Sequence, residues 1–281
     1  MSGLDRTEEA VPQADHIRFL FDPRVTLAAF ARQRRRLAAT ASTLTHDELA
    51  APSRCDGWTV ADVLRHLVWV DATMHRIWSG DESFAEGFDP RTTPDRWVQA
   101  DRVVPDEEVR ERYLASTETM SMELESAHPG QFGRPSLSPA GRVPWWLSAV
   151  HIGWDSAVHE RDVLVPLGRP VVSEPDEMLP SLAYSLVIAS FFSGRTPLNV
   201  QVGPVRVRRD EGLVTVGAAP LPPGDDGDED SPLDEVTVLS TGPGPAVDAL
   251  SGRGSLCDTL GADQDLIDRL GGLARYFTSI G

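Results

Sequence analysis

No lysine occurs in the 281 residues; all 26 basic side chains are arginine. That absence removes Schiff-base catalysis and the lysine of phosphate-cradling nucleotide loops. Cysteine is nearly as scarce. Cys55 and Cys257 stand far apart and fit no metal-ligand spacing, and a disulfide is not expected in a reducing compartment. Cys55, in CDGW just ahead of a helix, reads either as a thiol of lowered pKa or as a structural residue. Long apolar runs are missing too, so no segment is expected to span a membrane. The charged start MSGLDRTEEA lacks the apolar core of a signal peptide, and the expectation is a cytoplasmic protein. Positive charge is in deficit: 43 acidic residues give a net charge of -17. Such a surface repels phosphate backbones and anionic membranes, so neither nucleic acid nor membrane is an expected partner.

What is present is a core large enough for two domains, with 41% hydrophobic residues. Residues 1–20 are acidic and Pro-interrupted and read as poorly ordered. Residues 21–170 carry helical periodicity. Leu27, Phe30, Ala31, Leu37 and Ala38 recur at helical spacing, while Arg32 and the run Arg34, Arg35, Arg36 read as mostly outer-face charge. A second helix starts at Thr59 or Val60, where Thr59 and Asp62 form a capping box and Trp58 can staple onto Val63. Its inner stripe runs Val63, His66, Leu67, Val70, Met74, Ile77, Trp78, which places His66 among core positions. Asp81 to Pro105 reads as a long connection, residues 106–127 as a third helix, and His128 to Pro144 as a loop. From 171 to 281 the pattern becomes α+β: a helix from Pro175 to Phe192, strands at 199–202, 205–209, 213–217 and 236–240, an acidic loop from Pro220 to Glu235, and helices at 245–250 and 262–277.

The fourth helix, within VPWWLSAVHIGWDSAVHERDVLVPLG, carries the chemistry. At about 100° per residue, His151, Asp155, His159 and Asp162 share an arc of about 80°, with Ser148 in the same sector and Glu160 roughly opposite. An outward stripe would turn the Glu160 carboxylate into the core, so the stripe is read as facing inward. The plainer alternative is an amphipathic helix with a solvated His/Asp face. Buried imidazoles and carboxylates need partners, and a divalent metal satisfies several together. His66 from one helix, with Asp155 and His159 at i and i+4 on another, supplies three ligands and leaves one position open, a set suited to zinc or a similar ion. Asp162, His151 and Asp62 are candidates for holding the imidazoles, and His151 is the fallback ligand.

The CDGWTVADVLRHL segment around His66 and the WDSAVHERD segment around His159 resemble the N-terminal four-helix domain of the mycothiol-dependent maleylpyruvate isomerase family, itself similar to DinB-like metal-binding bundles. PAVDALSGRG, from Pro245 to Gly254, resembles that family's sterol-carrier-like α+β domain. The resemblance implies an α+β protein with a four-helix bundle at 21–170 and a smaller α+β domain at 171–281. It implies His66, Asp155 and His159 as metal ligands, although family members usually have glutamate where Asp155 stands. It implies mycothiol as thiol cofactor or co-substrate, an electrophilic small-molecule partner, an isomerase or S-transferase activity, and a monomer or homodimer. Arg253 is the candidate catalytic cation, since a guanidinium suits a substrate carboxylate. The competing expectation is a non-catalytic metal- or ligand-binding scaffold.

Overall fold

The computed structural model describes residues 16–85, 87–138, 141–192, 198–210, 213–221, 236–261 and 263–270. The leader before residue 16, most of the acidic loop and the end of the last helix expected from the sequence lie outside these residues. The described chain begins with β1 (Ile17–Leu20) and continues with α1 (Pro23–Ala41), α2 (His46–Ala50), α3 (Val60–Trp78) and α4 (Thr93–Asp101). It goes on through α5 (Asp106–Ser126), the one-turn α6 (Pro129–Phe132), the strands β2 (Pro135–Ser138) and β3 (Gly141–Pro144), and α7 (Trp145–Leu164). After α8 (Pro175–Phe192) come β4 (Leu198–Val202), β5 (Val205–Asp210), β6 (Leu213–Ala218) and β7 (Thr237–Leu239), then α9 (Pro243–Leu250), α10 (Leu256–Leu260) and α11 (Gln264–Leu270).

Two compact units result, one spanning Pro23–Glu177, the other joining the strand at Ile17–Leu20 to the chain from Met178 onward. The division falls inside α8, a few residues beyond the composition change near Pro170.

The first unit is a bundle of α1, α3, α5 and α7. Thr59 caps α3 by accepting from the Asp62 amide, while the Asp62 side chain accepts from the Thr59 amide, so the predicted capping box forms. α5 opens with Asp106, Glu107 and Glu108, which suit the positive end of its dipole. Leu37, Val60, Val63, Leu64, Leu67, Val109, Tyr113 and Val163 belong to one core cluster. α1 approaches α7 closely at Gly153, where an added Cβ would lie 2.1 Å from the buried Phe30 ring.

Three expectations change here. Arg34 does not belong to the outer face: it is fully buried, and its Nη2 donates to both carboxylate oxygens of Asp71 at 2.7 and 2.6 Å. The segment 81–105 is not a bare connection. It contains a 3-10 turn at Glu82–Ala85 and α4, a helix whose buried positions are only Thr93 and Val98, too few to impose a period on the sequence. The segment 128–144 holds α6 and a β2–β3 hairpin in antiparallel register Pro135↔Pro144, a pairing hidden by its Gly/Pro content.

The second unit is built on a sheet of order β1-β6-β5-β4-β7. β4, β5 and β6 form an antiparallel meander, with Val200, Val202, Val205, Val207, Val214 and Val216 buried. β7 joins parallel to β4, and β1 joins parallel to β6 with Ile17 opposite Val214. Residues 17–20 therefore are a strand and not part of a poorly ordered leader. Ile17 and Phe19 are buried, an alternation too short to register against the acidic stretch before it.

Candidate metal centre

The cap at Thr59 sets the phase of α3 and turns His66, two turns later, into the bundle at 7% exposure. On α7 the i, i+4 spacing of Asp155 and His159 puts both on one face toward it. His66 Nε2 lies 3.5 Å from Asp155 Oδ2, and His159 Nε2 lies 3.6 Å from Asp155 Oδ1. The imidazole centroids are 4.7 Å apart, and the Trp58 ring lies 5.4 Å from that of His66. Three ligand atoms thus converge within 4.8 Å. A tetrahedral ion with bonds of about 2.0–2.1 Å needs neighbouring ligand atoms roughly 3.3–3.5 Å apart, and the two edges to Asp155 already stand near that spacing.

The stripe does face inward, but not for the reason the sequence suggests. Glu160 is buried as well, at 2% exposure. Its carboxylate accepts from Arg36 Nε and Nη2, both at 3.0 Å, and from Gln33 Nε2 at 3.1 Å. All residues of α7 except His151, Asp155 and Arg161 are buried, so it has no solvated face. The charged residues on both sides are tolerated because other elements bring them partners: Arg36 and Gln33 for Glu160, His66 for Asp155 and Cys55 for Asp162.

Around His159 the arrangement is dense. Its Nδ1 lies 2.9 Å from Asp162 Oδ2, and Asp162 is fully buried. The Cys55 thiol donates to the same Oδ2 at 3.2 Å, with its sulfur 3.8 Å from His159 Nδ1. Asp162 therefore stands where a partner orienting the His159 imidazole is expected, on the nitrogen that faces away from His66 and Asp155. Asp62 does not. It is occupied by the cap and by Arg65 and Arg102, at 3.0 and 2.7 Å from its oxygens. His151 stands outside the converging set, stacked on Trp154 at 5.7 Å.

Electrostatics separate the imidazoles. Burial, with a smaller contribution from the nearby charge of His66, pushes His151 down to about 4 against the opposing charge of Asp155, so this ring is neutral at pH 7. For His159 burial also disfavours the charge, but Asp155, Asp162 and Cys55 outweigh it and push the group up to about 10. Burial would raise Asp155, yet the charges of His159 and His66 hold its carboxyl far below the usual carboxylate range. Without a cation, a proton on His159 balances the neighbouring carboxylates, and an ion bound there would displace it.

Cys55 is the residue sequence spacing does not reach. Its amide donates to Ser53 Oγ at 3.1 Å, its carbonyl accepts from the Trp58 amide at 3.0 Å, and the neighbouring Arg54 amide donates to Asp162 O at 3.1 Å. The CDGW turn, pinned to α7, was the only available signal. Arg253 lies in the second unit just after α9, its amide 2.7 Å from Asp248 O and its Nη1 2.6 Å from Ser251 O.

Residues 30–164, from within α1 to the end of α7, match the family model of the mycothiol maleylpyruvate isomerase N-terminal domain. The resemblance read from the segments around His66 and His159 holds over that span. No curated protein sequence matches the chain. Among solved structures, the crystal structure of the mycothiol-dependent maleylpyruvate isomerase is similar at TM-score 0.57 and 15% identity, covering 84% of this chain and 91% of that one. A mutant of that enzyme is similar at TM-score 0.55 and 15% identity, covering 85% and 92%. At this identity the likeness establishes the fold, a helical N-terminal domain followed by an α+β domain.

Proposed function

We propose, from the premise that residues 30–164 form a mycothiol maleylpyruvate isomerase N-terminal domain, that the chain is a thiol-dependent metalloenzyme. Its substrates are a low-molecular-weight thiol, mycothiol, and an electrophilic small molecule. The observation that carries this reading is the convergence of His66, Asp155 and His159 at ligand spacing, with Asp162 behind one imidazole. A divalent cation held there, zinc by its donor set, supplies the charge that keeps an incoming thiol as its reactive thiolate.

The chain's own residues do the rest. Asp162 holds His159 by its Nδ1 so that Nε2 points at the cation position. Asp155 would contribute the single negative charge of the set. Trp58 covers the imidazoles with an apolar face, which limits water beside a nucleophile. The electrophile's activated double bond becomes single when the sulfur–carbon bond forms and a proton is taken up. Rotation and loss of the same sulfur and proton would complete an isomerisation, whereas release of the adduct would complete a transfer. Arg253 is assigned the carboxylate of such a substrate, because a guanidinium matches it in geometry and charge.

Elemental analysis of protein purified without added metal tests the reading, with wild type beside His159→Ala. Near-stoichiometric zinc in the wild type, lost in the variant, together with thiol-dependent consumption of an electrophile such as maleylpyruvate, is the expected result. A wild type that takes up no metal when zinc is offered overturns it. Arg253→Ala is expected to raise KM for carboxylate electrophiles and to leave metal content unchanged.

A further inference from the structure

His159 has a donor set on each edge of its ring. On the Nε2 edge are Asp155 and His66; on the Nδ1 edge are Asp162 Oδ2 at 2.9 Å and Cys55 Sγ at 3.8 Å, with sulfur and carboxylate oxygen 3.2 Å apart. We propose that Cys55, His159 and Asp162 form a second, thiolate-containing position for a thiophilic divalent cation, sharing His159 with the first.

The geometry needs little adjustment. Zinc bonds of about 2.0 Å to oxygen and nitrogen and 2.3 Å to sulfur place tetrahedral ligands roughly 3.3–3.6 Å apart, so the two short edges open and the long one closes by a few tenths of an ångström. Cys55 is seated by two backbone hydrogen bonds and not by chance packing. Arg54 Nε, 3.9 Å from Asp162 Oδ1, meets the other carboxylate oxygen and leaves Oδ2 turned to Cys55 and His159. Charge favours the site as well. A divalent ion with one thiolate and one carboxylate is neutral, whereas His66, Asp155 and His159 leave one positive charge in a largely buried place. Thiolate is also the softer ligand, preferred by zinc and cadmium. On coordination the Cys55 S–H bond breaks, its electron pair goes to the metal and its proton goes to solvent; the proton that His159 Nδ1 shares with Asp162 Oδ2 likewise leaves to solvent and frees the Nδ1 lone pair for the metal.

The two positions exclude one another. A neutral imidazole has one free nitrogen, so His159 serves the cation through Nε2 or through Nδ1. An incoming thiolate at the first position would make that site neutral too. A low-molecular-weight thiol would thus draw the metal across the ring into the reactive position, and Cys55 would hold it when no thiol is present. This last step rests on the thiol-dependent reading above; the second position itself does not.

Cadmium titration of the full chain, in a Cys257→Ser background so that Cys55 is the one thiol, tests the proposal through the thiolate-to-cadmium charge-transfer absorbance. The expected result is one equivalent bound with the band present, the band retained in His66→Ala and absent in Cys55→Ser. In the His66→Ala background, Cys55→Ser is expected to weaken cadmium binding at least roughly 100-fold, beyond the loss typical of an outer partner. A His66→Ala protein that gives no band, or a wild type that binds two equivalents together, overturns it. Circular dichroism checks that each variant is folded. The reading of the first site fails separately: zinc bound by Cys55→Ser and lost in the Cys55→Ser, His66→Ala double variant supports that site whatever the cadmium band does.

Discussion

Gly153→Ala is expected to destabilise the bundle, although alanine is the better helix former. An added Cβ would lie 2.1 Å from Cδ2 and Cγ of Phe30 and 2.5 Å from Cε2, and Phe30 is fully buried. Ordinary contact requires at least about 3.4 Å, so α1 and α7 would have to part by roughly an ångström or the ring would have to leave its rotamer. Overpacking of this kind costs about 1–3 kcal/mol, and an overlap against a buried ring belongs at the upper end. Alanine returns about 1 kcal/mol of helix propensity, leaving a net loss of about 2 kcal/mol. Urea unfolding followed by tryptophan fluorescence measures it, because Trp145, Trp146 and Trp154 lie on the same helix. In a Phe30→Leu background the Gly153→Ala penalty should fall below about 1 kcal/mol, since the two sites share one contact. Gly153 precedes Asp155 by two residues, so the same shift is expected to weaken cation binding. A Gly153→Ala protein as stable as wild type would refute the close approach.

The remaining predictions concern buried charge. His159 is raised in the folded protein, so its contribution is complete below its unfolded pKa of about 6.5 and is lost as pH rises towards about 10. Chelator-treated protein should therefore show a falling urea midpoint between pH 6.5 and 10, and zinc-loaded protein should not; a flat profile without metal would contradict the assignment. His151 is depressed to about 4, so it favours the folded state above pH 6.5 and ceases to do so on acidification; His151→Gln should reduce the stability loss between pH 6.5 and 4. Arg34→Ala leaves Asp71 buried and unpaired and should cost about 3–5 kcal/mol, whereas Arg34→Met with Asp71→Leu should recover most of it. A single-variant loss below about 1 kcal/mol in urea unfolding would show that the pair is not buried as described.

The helices were legible wherever a local signal recurs. The Thr59 and Asp62 box marks the start of α3, and the 3.6-residue period then places His66 inward. Asp155 and His159 follow from spacing on one helix. α4 was not legible, because two buried residues on nine cannot impose a period, and the β2–β3 hairpin was masked by glycine and proline.

By itself the sequence determined the order of helices and strands, the α+β division, and the His/Asp stripe, because periodicity and caps act between residues a few positions apart. Only the tertiary structure decided which buried charges are matched. Arg34 reads as surface until Asp71 comes to it from another helix, and Glu160 reads as solvent-facing until Arg36 and Gln33 meet it. β1 became a strand through a parallel partner nearly two hundred residues away. Cys55 reached His159 because a loop amide bonds to the α7 backbone at Asp162. In each case the free energy of a buried polar group or an unpaired strand depends on what the rest of the chain brings to it, and local pattern does not carry that information.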